Sequence, residues 1–189
     1  MNRRAVAVDG NFQTREVDGK KYIEGYFAVF GAKYHLWDNA YETIDRGAFD
    51  LDEDRDVRAL TNHDTTLVLG RTTNGTLMLR VDDHGLWGSV EVNENDQDAV
   101  NAHARVERRD VSQCSFGFDI LDEELMREDG NDVWHIRKVK LYEVSICTFP
   151  AYAETEVKTR QNELETIKKR KAEAWRSEML KKLKGEKYA

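Results

Sequence analysis

The chain has 189 residues, two cysteines and a net charge of -7, long enough to bury a core without disulfide support. Its acidity argues against a general nucleic-acid binder, its cysteines show no CxxC or Cys/His metal spacing, and it has neither a signal-peptide core nor an apolar run of membrane-spanning length. What remains is a soluble intracellular protein with reduced thiols, no cofactor, no metal and no membrane contact. From Glu154 onward eleven Lys and Arg face seven Glu, a net of +4 that leaves -11 for the rest. An acidic body, residues 1–153, is therefore expected to carry a basic tail, residues 154–189.

The first clear element is YIEGYFAVFG, residues 22–31, aromatic and β-branched and closed by a glycine: a strand. RGAFD, residues 46–50, reads as a short turn or helix start. VRAL, residues 57–60, is a short strand that ends at TNHD, so His63 falls just past a strand end. TLMLRVDDHGLWGSVEV is the strongest hairpin signal, two alternating runs around Asp82, Asp83, His84 and Gly85. NDQDAVNAHARVERRD opens on a capping Asn95 or Asp96 and carries Ala99, Val100, His103 and Val106 at helical spacing.

SQCSFGFDIL follows, then an acidic turn around EDGND, then VWHIRKVKLYEVSICTF, stopped by Pro150. Two strand-like runs joined by a tight turn predict an antiparallel hairpin, which makes Ser115 and residues 141–147 neighbours. Beyond Ala153, Leu164, Ile167, Trp175, Met179 and Leu183 fall near one stripe, predicting an amphipathic helix over 156–184. The pattern is α+β but mainly β: about six or seven strands with one or two helices, then a helical tail.

Within this frame three polar residues stand out. Ser115 alternates with Phe116 and Phe118, so it faces away from them. A serine needs a base to become a nucleophile, and the base needs a third group to fix its tautomer. Of the five histidines, His63 alone sits at a strand end in a polar setting; His35, His84, His103 and His135 read as solvated or packing residues. Glu143 is a carboxylate in an apolar strand, where Leu141, Glu143, Ser145 and Cys147 share one face. Such a charge needs a partner: a salt bridge to Arg137 or Lys140, or the imidazole of His63.

The set IEGYFAVFG, RGAFD, the NHD box at 62–64 followed by LGR, the GLW hairpin, SFGF at 115–118 and LYEVSICTFPAY at 141–152 resembles, in that order, the tailed-phage prohead protease family. The resemblance spans residues 22 to about 157. It implies a serine endopeptidase with Ser115 as nucleophile and His63 as general base, Glu143 matching the family's acidic position and Asp64 competing for it. It implies the fold of herpesvirus assembly proteases, a small closed β-barrel with surrounding helices. It also implies a setting inside the immature capsid in the host bacterial cytoplasm, with scaffold and major capsid protein as substrates, self-cleavage and a homo-oligomer. The tail then serves for docking on scaffold or capsid protein, for self-trimming, or for dimerisation. Gly117 and the Leu69-Gly70-Arg71 turn are the candidates for the oxyanion hole. The competing readings are a silent assembly module and a cysteine protease using Cys114, which alternation directs to the Phe116 face as a small hydrophobe.

Overall fold

The computed structural model describes residues 4, 5, 8, 9, 11–149, 164, 165, 169, 172 and 176. The chain divides into two units, Met1–Tyr152 and Ala153–Ala189, and every element below belongs to the first. The fold is organised by one hairpin, whose strands β11 (Gln113–Glu128) and β12 (Asn131–Cys147) are 16 and 17 residues long. Its turn is Asp129-Gly130, both with positive φ (49° and 85°). That geometry twists with the strands, and Asp-Gly adopts it at little cost.

No single neighbour covers the other edge of so long a strand. Residues Asp132–Ile136 of β12 pair in parallel with β6 (Ala40–Ile44), and Glu143–Ile146 pair in parallel with β7 (Arg58–Thr61). Beyond β6 lies β5 (Tyr34–Trp37), and beyond β7 lies β8 (Asp64–Arg71). Short strands β1 (Arg4–Ala5) and β2 (Val8–Asp9) pair with β11. A second sheet runs β3-β4-β10-β9, from β3 (Gln13–Val17), β4 (Lys20–Val29), β9 (Leu77–Val81) and β10 (Gly85–Glu91).

The expected closed barrel of six or seven strands is thus incorrect: among the described residues twelve strands form two open sheets. The physical reason is the edge of β12, which splits between two parallel partners and branches the sheet instead of closing it. Nor do helices surround it. Among the described residues of the first unit there is one α-helix, α1 (Gln97–Glu107), and a short 3-10 turn at Thr72–Asn74. The C-terminal helix expected over 156–184 lies outside the described residues except at Leu164, Glu165, Lys169, Ala172 and Arg176, which are helical.

The core draws on both sheets: Ile23 and Phe27 of β4 and Leu86 and Val90 of β10 join Phe116, Phe118, Val144 and Ile146 of the long hairpin. Helix α1 adds Ala99, Ala102 and Val106, one stripe at helical spacing, and is capped by the Asp96 carboxylate, which accepts from the Asp98 N–H at 3.0 Å. Strand β11 obeys its alternation here, with Cys114, Phe116 and Phe118 in the core and the residues between them on the opposite face.

Candidate active site

The opposite face of the long hairpin carries the polar residues. Across it Ser115 lies directly opposite Ser145, and Gly117 opposite Glu143. Residues opposite one another in an antiparallel pair share a face, as do residues two apart, so Ser115, Ser145 and Glu143 form one cluster. All are buried, at 1%, 0% and 3% exposure. A register shift between Gly117 and Phe118 then brings Leu141 opposite Phe118 and into the core, so Leu141 leaves the face it was expected to share with Glu143.

His63 reaches this cluster from the tight turn between β7 and β8. Asn62 and His63 hold φ of 52° and 59°, the two left-handed residues of a primed hairpin turn. Asparagine and histidine tolerate that region better than most residues, though less well than glycine. The turn is fastened to β12 and the residue just past it by three bonds: Asn62 N–H to the Ile146 carbonyl (2.9 Å), Thr148 N–H to Asn62 Oδ1 (2.9 Å), and His63 N–H to Ser145 Oγ (3.2 Å). A non-glycine residue in a left-handed turn, tied down on both sides, is backbone conformation spent on aiming a side chain.

The imidazole so aimed meets Glu143, with Nδ1 2.6 Å from Oε1. The other carboxylate oxygen, Oε2, accepts from Ser145 Oγ at 2.6 Å. Glu143 is therefore held by His63 and Ser145, whereas Arg137 pairs with Glu124 and Lys140 with Asp54. With the carboxylate accepting at Nδ1, the proton of the neutral ring sits there, which leaves the Nε2 lone pair free in that form. Three buried side-chain polar atoms lack a hydrogen-bond partner among the described residues: Thr43 Oγ1, Ser115 Oγ and His63 Nε2. Two of the three belong to Ser115 and His63.

Burial works against a charged His63, but its contacts with Cys147 and Glu143 outweigh it and push its pKa up to about 10. Cys147 is buried and belongs to the same face, opposite Gln113.

Gly117 has a reason that its neighbour supplies. A Cβ there would overlap Glu143 Oε1, so the glycine of SFGF makes room for the carboxylate. Gly117→Ala is expected to cost about 1–3 kcal/mol of stability as an overpacking change and to slow turnover by pushing Glu143 off His63. Urea unfolding and a cleavage assay on the same variant check both effects.

The other candidates go elsewhere. Asp64 is turned to Thr66 instead, accepting from its N–H and Oγ1 at 2.8 and 2.6 Å, bonds that hold its carboxyl below the usual range. Cys114 is fully buried in the core with Sγ 3.1 Å from the Tyr26 carbonyl, on the face away from Ser115. Leu69, Gly70 and Arg71, expected in a turn, lie in β8 at the end away from His63, and the Arg71 N–H donates to Thr76 Oγ1 at 2.9 Å. A cleft of about 540 Å³ borders that end, and none of Ser115, His63 and Glu143 lines it. His35 lies in β5 rather than a loop and stacks edge-on with Tyr41. His135 is held by Asp45 and Glu128 at 2.8 and 2.7 Å. The residue that sequence reasoning passed over is Ser145. Its signal was present, two positions from Glu143 on the same face.

A hydroxyl, an imidazole and a carboxylate gathered on one sheet face are the groups that serine hydrolases use. Residues 10–170 match the model of the caudovirus prohead serine protease family, and the chain belongs to that family. Its role is accordingly that of a prohead maturation protease. Among solved structures, the capsid assembly protease gp21 of bacteriophage T4 is similar at 12% identity and a TM-score of 0.43, over 79% of this chain and 100% of that one. That likeness is too distant to bear on the argument. No curated protein sequence matches the chain.

Proposed function

We propose that the chain is a serine endopeptidase in which Ser115 is the nucleophile, His63 the general base and Glu143 the group that orients the base. Ser115 Oγ attacks a peptide carbonyl while His63 Nε2 takes its proton. The same proton passes to the leaving amine as the C–N bond breaks, and water, activated by His63, then hydrolyses the acyl-enzyme. Glu143 keeps the Nδ1 tautomer and stabilises the imidazolium formed on the way. The observation that carries this reading is the pair of buried atoms Ser115 Oγ and His63 Nε2, neither of which has a partner in hydrogen-bond geometry among the described residues, with the Cys147 thiol beside the imidazole. A buried hydroxyl left without a partner costs about 1–3 kcal/mol, a cost with a functional reason if substrate completes the contact. Catalytic hydrogen bonds of substrate-free enzymes are often incomplete and tighten in the complex.

Membership of the family supports scaffold and major capsid protein as substrates; cleavage of the chain itself and confinement of the reaction to the immature capsid in the host cytoplasm belong to the proposal. Mass spectrometry tests this: the purified chain and Ser115→Ala, each alone and with the capsid or scaffold protein encoded beside it. Fragments that appear only with the unsubstituted chain support the reading and give the cleavage motif. Identical intact masses in every mixture, from folded protein, point instead to a silent assembly module.

The basic tail, residues 154–189, is proposed as the segment that docks on scaffold or capsid protein. Deleting residues 156–189 is expected to leave oligomeric state unchanged and abolish co-assembly with the prohead, read by light scattering and by the protein content of purified particles. Loss of a dimer would assign the tail to self-association.

A further inference from the structure

The arrangement around Glu143 does not end at the three groups proposed to carry the reaction. Ser145 is fully buried, lies directly across the hairpin from Ser115, and uses its hydroxyl twice. Its proton goes to Glu143 Oε2 at 2.6 Å, and its lone pair receives the His63 backbone N–H at 3.2 Å. The ring closes through the other carboxylate oxygen and His63 Nδ1, 2.6 Å apart. One carboxylate thus grips both the ring and, through Ser145, the backbone of the same histidine.

We infer that Ser145 is a positioning residue of the protease: its hydroxyl locks the Glu143 carboxylate and the His63 turn into one hydrogen-bonded ring. This inference rests on the reading of Ser115, His63 and Glu143 given above.

The physical case has three parts. A carboxylate on a flexible side chain has two equivalent oxygens and a soft terminal torsion, so one bond to His63 leaves its plane free to rotate; the Ser145 bond removes that freedom. Hydrogen bonds to a charged acceptor are among the strong ones, and this one is buried, where competition from water is least. The left-handed turn needs fastening as well, and the Ser145 oxygen takes the N–H of the residue that must be aimed. An apolar residue at 145 would leave the carboxylate one donor short and the His63 N–H without its acceptor.

The test is a set of variants assayed for kcat and KM on a peptide cut by the unsubstituted chain, with the His63 pKa followed by NMR in the Ser115→Ala background. Ser145→Ala is expected to lower kcat by about 10- to 100-fold, the size of one lost charge-assisted bond, with KM unchanged. It should also lower the His63 pKa, since a carboxylate free to turn away holds the imidazolium less well. Because one of the two Ser145 bonds is made to Glu143, adding Ser145→Ala to Glu143→Gln should slow the enzyme further by clearly less than Ser145→Ala slows the unsubstituted chain, what is left being the lost fastening of the His63 N–H. Ser145→Cys, similar in shape but a poor donor, should fall with Ser145→Ala, and it replaces that variant if the alanine chain does not hold its fold. Wild-type kcat in both variants, or losses that multiply with Glu143→Gln, would overturn the inference. Cleavage retained by Ser115→Ala would instead overturn the reading of the site on which it rests.

Discussion

Replacing Ser115 with alanine is expected to abolish cleavage and to raise the stability of the protein. The first effect follows from chemistry: removing the nucleophile of a triad costs about a million-fold in kcat, what remains being transition-state binding. The second follows from burial. Ser115 is 1% exposed and its hydroxyl has no partner among the described residues. Its strand neighbour Ser145 gives its proton to Glu143 and receives the His63 N–H. Alanine removes the polar atom and keeps the rest of the side chain, relieving about 1–2 kcal/mol of desolvation. For a unit of 152 residues that raises Tm by roughly 3 °C per kcal/mol. Calorimetry and a cleavage assay on one preparation measure both. A variant that is inactive and more stable has lost a group that the fold tolerates for function. An inactive variant that is less stable would assign Ser115 a structural bond instead.

The pairing of β11 with β12 was legible in the sequence, because its evidence is local. EDGND holds the Asp-Gly that a primed turn needs, and SFGFDIL and YEVSICTF alternate on either side of it. Once they pair, Ser115 and Glu143 follow onto one face by period alone. The helix at Asp96 and the β9–β10 turn, where Asp82 Oδ1 accepts from His84 and Gly85 N–H, were legible for the same reason. The sheet edge was not. Nothing in the run from Asn131 to Cys147 marks where one parallel neighbour ends and the next begins; β6 and β7 choose their halves of β12 by tertiary packing. Short strands such as β5 and β6, in a polar stretch, leave too little pattern to count.

The same limit explains what was seen and missed in the site. TNHD marked a strand end, but the left-handed turn that swings His63 onto β12 depends on Ile146 and Thr148, more than eighty residues away in sequence. In the sequence Gly117 reads as an oxyanion-hole candidate, and the room it leaves for a carboxylate shows only once it lies opposite Glu143. Core and site thus share the middle of one hairpin, the apolar alternate residues fixing the sheet while the others lie free for chemistry.

Glu143→Gln is the second change with a large expected effect, and pH separates its consequences. Burial opposes a charged His63, but its contacts with Cys147 and Glu143 raise it from an ordinary value near 6.5 to about 10, and the pairing with Glu143 is one of the two that favour the charged imidazole. Stability from that pairing is complete below the unfolded pKa and is lost as pH rises through the folded one. Activity runs the opposite way, because only neutral imidazole accepts the Ser115 proton. Between about pH 6.5 and 10 the protein should therefore lose stability while kcat/KM climbs. The amide of glutamine carries no charge to hold the imidazolium and, if its N–H faces Nδ1, selects the wrong tautomer. In a triad that substitution costs about 10⁴-fold in kcat. With the carboxylate gone, burial acts on His63 with less opposition, and the pH at which kcat/KM reaches half its plateau should fall toward or below the ordinary value. The glutamine variant should also lose less stability between neutral and alkaline pH than the unsubstituted chain. A pH–rate profile beside an NMR titration of His63 decides it. Wild-type turnover in the variant at neutral pH would remove Glu143 from the machinery, and a slow variant with an unmoved profile would leave it a packing role alone.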